Sequence, residues 1–121
     1  MCDEAAKNIE DRDIEGILAK SREELIKGIE EYKKLDHESE EALEFIACCP
    51  LAINDLIYTI DDCSTYGRIS ADILTEKISV DEGLKKIKEV HINNIIEEKK
   101  YYEHRVKHMQ EVIDKLKEED K

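Results

Sequence analysis

The chain has 121 residues, 41% charged and 40% apolar, and a formal net charge of −12. That length fits one domain with a modest core, and the balance suits long helices with one narrow buried stripe and a wide wet face. A surface this acidic repels phosphate backbones and anionic bilayers, so nucleic acid and membrane are not expected partners, whereas cations and basic proteins are attracted. No apolar run approaches the roughly 20 residues that cross a bilayer. Met1-Cys2-Asp3-Glu4 is acidic, with no hydrophobic segment of the kind a signal peptide carries, so a cytoplasmic protein with reduced thiols is expected. No stretch alternates apolar and polar residues over five or more positions, which argues against sheet.

In chain order, residues 3–10 suit a short first helix. Asp11-Arg12-Asp13 is a natural break, with Asp13 placed to act as an N-cap. A second helix is expected from Ile14 to Cys48, its buried stripe running through Ile14, Leu18, Ser21, Leu25, Gly28, Tyr32, Leu35, Ala42 and Ile46. Residues 36–41 interrupt the stripe, and a continuous helix with a solvated turn is expected there over a break. Pro50, the only proline, fits the first turn of a third helix. That helix carries Ile53, Leu56, Ile60, Cys63, Gly67, Ser70 and Leu74 at three-four spacing. Gly67 weakens it by about 1 kcal/mol relative to Ala and marks a place for a kink.

A turn at Glu76-Lys77-Ile78 leads to Ser79-Val80-Asp81-Glu82, a capping box that opens the last helix. Some 37 helical residues at roughly 1.5 Å each would span about 55 Å. From Ile92 the stripe alternates by three and four through Ile95, Lys99, Tyr102, Val106, Met109, Ile113 and Leu116. Such a rod needs other long helices against it, from its own chain or from a second copy. The expected architecture is all-α: one domain, residues 1–121, an antiparallel bundle of three to four helices with a long C-terminal helix. Lys99 either sets register in a seam or marks where the helix leaves the bundle. Ile95, Tyr102, Val106, Met109 and Ile113 are the expected interface residues, with Tyr101 beside them.

Candidate chemistry is sparse. His104 and His108 are four apart, the spacing of two metal ligands, yet both fall outside the heptad seam. A di-iron carboxylate bundle needs Glu-x-x-His. Lys34, Lys88, Tyr101 and Arg105 stand three residues before the four histidines, so that motif is missing. Cys48 and Cys49 diverge by about 100° on a helix, a poor arrangement for zinc. Cys63 lies on the apolar stripe and reads as a small buried hydrophobe. Glu40 or Glu41 shares a face with Glu44, and Asp55 with Asp62. If those faces meet, Glu41, Glu44, Asp55 and Asp62 would hold Mg²⁺ or another divalent cation; otherwise they are wet acidic faces. No Gly-rich phosphate loop, Gly-x-Ser-x-Gly or His-Glu-x-x-His is present.

Two local resemblances add expectations. The stretch Cys49-Pro50-Leu51-Ala52-Ile53-Asn54-Asp55-Leu56, followed by Ile60 to Ile73 with Asp61 and Tyr66-Gly67, resembles the phosphate-uptake regulator PhoU family. The resemblance spans roughly 25 residues and implies a three-helix bundle binding metals through acidic pairs; Thr65 stands where the second acid of the pair would be. Glu40-Glu41-Ala42-Leu43-Glu44 is similar to the metal-binding pentad of the all-α nucleotide pyrophosphohydrolases related to MazG. That likeness implies a Mg²⁺-dependent hydrolase, although the Glu of its second-helix Glu-x-x-Asp is missing: Ala52 lies three before Asp55, and Thr59 three before Asp62. The expected function is therefore a non-enzymatic helical-bundle protein acting through protein–protein contacts, as a homo-oligomer, with no cofactor and with the regulatory role that the PhoU likeness implies; the alternative is the Mg²⁺-dependent pyrophosphohydrolase.

Overall fold

The structure, a computed structural model, describes residues 8–47 and 50–119. They form a 3₁₀ turn, Ile9–Asp11, and five α-helices: α1 (Ile14–Lys33), α2 (Glu40–Ala47), α3 (Leu51–Asn54), α4 (Ile60–Leu74) and α5 (Val80–Glu119). No strand occurs among the described residues, so the protein is all-α. The short helix expected over 3–10 lies mostly outside the described residues, and its end is the 3₁₀ turn. Cys2, Cys48 and Cys49 also lie outside them.

Helix α1 follows its sequence signals. The Asp13 carboxylate accepts the Gly16 amide at 3.0 Å, the N-cap expected there. Ser21, Leu25, Gly28 and Tyr32 are its buried face. The helix stops at Lys33 and does not continue to Cys48. The reason is competition from short polar side chains: Asp36 accepts the Glu38 amide at 3.1 Å, and the Ser39 hydroxyl donates to the Asp36 carbonyl at 2.6 Å. Ser39 also accepts the Ala42 amide at 3.1 Å, which caps α2. His37 stacks on Tyr32 with ring centroids 4.2 Å apart and seals the turn.

The single helix expected from Pro50 to Leu74 is likewise two. Pro50 precedes the one-turn α3, and the chain leaves helical geometry between Asp55 and Thr59. It restarts because the Asp62 carboxylate accepts the Tyr58 and Thr59 amides at 2.8 and 3.1 Å. The break resets the helical phase. Ile60 is 90% exposed and Cys63 is exposed, so neither lies on a buried stripe as expected. Instead α4 buries Asp62, Tyr66, Ser70, Ile73 and Leu74, and it runs through Gly67 as one helix.

After the Glu76 turn, Ser79 accepts the Glu82 amide at 3.0 Å and starts α5. Helices α1, α4 and the first half of α5 pack together, with α2 against α1 and α4 and α3 against α1. The core comprises Leu25, Ile53, Leu56, Tyr66, Ile73, Leu74, Leu84 and Ile87. Gly83 lets α4 and α5 approach closely, since a Cβ there would overlap the Ile73 side chain. The buried positions of α5 are Gly83, Leu84, Ile87 and His91, all in its first twelve residues. From Lys99 to Glu119 every residue is exposed, so α5 projects from the body as an arm about 31 Å long. Among the described residues no helix is long and apolar enough to cross a membrane.

Candidate functional site

The four carboxylates expected to meet do not. Glu41 and Glu44, on α2, rim a groove of about 640 Å³ together with Glu24 and Glu31 of α1, over an apolar floor that includes Phe45 and Leu74. Glu24 is partly committed, because it accepts the Ala52 amide at 3.1 Å and so caps α3. Asp55 is exposed at the C-terminal end of α3. Asp62 is buried on α4, facing the core. The break between α3 and α4 places Asp55 and Asp62 on different helices, which dissolves their shared face. Among the described residues no group of three or more His, Cys, Asp or Glu is placed to hold a metal ion. His104 and His108 are exposed on the arm.

Asp62 instead organises a buried polar joint. Besides the Tyr58 and Thr59 amides, its Oδ2 accepts the Asn94 Nδ2 of α5 at 3.0 Å. Arg12 approaches from the N-terminal side. Its Nη1 donates to the carbonyls of Asp55 and Ile57 at 3.3 and 3.1 Å, and its guanidinium lies 5.9 Å from the Tyr58 ring centroid. Tyr66 and His91 are buried alongside. Burial pushes the Tyr66 phenol well above its ordinary range; Asp62 adds to the shift and Arg12 opposes it. Burial pushes His91 down, with Arg12 adding and Asp62 opposing. Both groups are therefore uncharged at neutral pH. The Tyr66 hydroxyl and His91 Nδ1 find no hydrogen-bond partner among the described residues. The joint ties the N-terminal turn, α4 and α5 together.

The arm carries the remaining candidates. Ile95 is half-buried at its root, where α5 still touches the body. Tyr102, Val106, Met109, Ile113 and Leu116 are exposed, Val106 at 62% and Leu116 at 55%. Tyr101 and Tyr102 pack edge to face, with centroids 5.5 Å apart. The Glu98 carboxylate, four residues back on the helix, pushes the Tyr102 phenol above its usual range. A second groove, about 580 Å³, lies at the root between the arm and Glu10. Its floor is Ile95, Tyr102 and Val106, three of the stripe residues. Lys99 lines it too and pairs with Glu103 at 3.8 Å, one turn along the helix.

Sequence reasoning missed Arg12, Asn94 and His91, which act through tertiary contacts that no local spacing announces. It also missed Thr59-Ile60-Asp61-Asp62, where a Thr three residues before an Asp was a local signal of a helix start. No protein-family model, curated protein or solved structure matches this chain.

Proposed function

We propose that this chain works by association, with no chemistry of its own, and that the arm of α5 is the surface through which it engages another protein chain. The supporting observation is the stripe Tyr102, Val106, Met109, Ile113 and Leu116, which keeps three-four spacing and which no other element among the described residues covers. A long exposed helix with a regular apolar seam stabilises poorly alone and well against a partner helix. An uncovered apolar patch of this extent marks a binding surface. The exposed free thiol of Cys63 suits a reducing, cytoplasmic setting. The body, with its joint at Asp62, is the rigid mount that aims the arm.

Sedimentation equilibrium tests the reading. The expected mass is a multiple of 14.1 kDa for the isolated protein. Val106→Glu and Met109→Glu should each weaken assembly at least tenfold, since burying each of those side chains contributes roughly 1.5–3 kcal/mol. Both residues are exposed on the arm, so the monomer should keep its unfolding temperature. A strict monomer that the two substitutions leave unaltered would refute the proposal.

A further inference from the structure

We infer that the partner of the arm is a second copy of this chain, and that the two arms pair antiparallel about a dyad between Lys107 and His108. The inference rests on the association reading above and adds the partner's identity and direction. Charge is the first argument. Residues 99–119 carry six Lys or Arg and five Asp or Glu, net +1, which leaves −13 of the total −12 on the rest of the chain. The arm is thus a long surface that a second copy can approach without meeting strong repulsion. Parallel pairing would bring the two acidic bodies side by side. Antiparallel pairing sets them at opposite ends, with about 28 Å between their near edges, several screening lengths at physiological salt.

The seam gives the same direction. In a parallel, in-register pair Lys99 would face Lys99 of the second copy inside the apolar stripe. In the antiparallel pair Lys99 lies over Leu116, Tyr102 over Ile113 and Val106 over Met109, so every lysine stem meets an apolar side chain. Only a dyad between residues 107 and 108 pairs the stripe from Lys99 to Leu116 end to end without driving one arm into the other body. The root groove then receives the tip of the second arm. Its rim holds Glu10, Glu98, Lys99 and Glu103, and the tip brings Lys117 beside Leu116. Apolar floor meets apolar tip, with Lys117 set across from Glu98.

Single-cysteine cross-linking decides the direction. Cys2, Cys48, Cys49 and Cys63 are replaced by Ser, and Lys99→Cys or Leu116→Cys is added. Lys99→Cys chains alone and Leu116→Cys chains alone should not form disulfide dimers, because each pair of equal positions lies about 25 Å apart. A mixture of the two should cross-link. Self-linking of Lys99→Cys overturns the antiparallel inference while leaving association intact. A mass of 14.1 kDa for the unaltered protein overturns both. Small-angle scattering on the unaltered protein provides a check that needs no substitution: two lobes with centres about 50 Å apart support the inference, and a single compact particle of dimer mass overturns it.

Discussion

Glu76 has a φ of 62°, the one positive value outside glycine among the described residues. It sits at the αL position of a Schellman motif, where the Lys77 amide reaches the Asp72 carbonyl at 2.8 Å and the Glu76 amide reaches Ile73 at 3.0 Å. A side chain there costs roughly 1–2 kcal/mol, and its exposed pair with Lys33 at 3.3 Å returns little. Glu76→Gly should therefore raise stability by about 0.5–1 kcal/mol in urea unfolding; a loss would show that the ion pair outweighs the strain. His91 makes a pH prediction. Its folded pKa lies below the ordinary 6.5 because burial and Arg12 disfavour the charged ring. The unfolded chain then binds more protons in the window just below 6.5, so stability is full above that pH and falls as pH drops towards the lowered value. The unfolding temperature should decline from pH 7 to pH 5, and His91→Gln should flatten the decline. Parallel profiles for the two proteins would remove His91 from the account.

Helix α4 takes its start and a polar tie to α5 from one carboxylate, that of Asp62. Asp62→Ala deletes acceptors for two amides and for Asn94 at once, and should cost about 2–3 kcal/mol; Asp62→Asn keeps one oxygen and should cost less. Chemical denaturation of both variants checks this, and equal small losses would mean that the joint contributes little. The same residue shows what the sequence discloses about elements. The Asp13 cap, the stripe Ser21-Leu25-Gly28-Tyr32 and the Ser79 start of α5 were all legible, because each signal lies within one unbroken helix. The breaks at 34–39 and 55–59 were not. Apolar residues on both sides of each break happen to keep three-four spacing, and periodicity alone cannot register a change of phase. That is why Ile60 and Cys63 were placed inside and why Asp62 was read as a free acid beside Asp55. The arm was half legible: its stripe is plain from spacing, but whether the body covers it is decided by where the core ends, near His91.

At the scale of the whole molecule the governing quantity is charge, −12 in all with the arm at +1. Two bodies of −13 whose centres stand about 50 Å apart repel negligibly at 0.15 M salt, where the screening length is about 8 Å. At 0.01 M salt the length grows to about 30 Å, and the same pair costs roughly 2–3 kcal/mol. Bodies held side by side, with centres nearer 28 Å, would instead pay on the order of 10 kcal/mol at that salt. The antiparallel dimer should therefore survive low salt with a Kd weakened about a hundredfold, the change that 2–3 kcal/mol corresponds to. Sedimentation at the two ionic strengths distinguishes the arrangements. A dimer abolished at 0.01 M would put the acidic bodies in contact. A dimer indifferent to salt would mean that counter-charges from elsewhere in the assembly neutralise them, and the separation argued from the arm would lose its support.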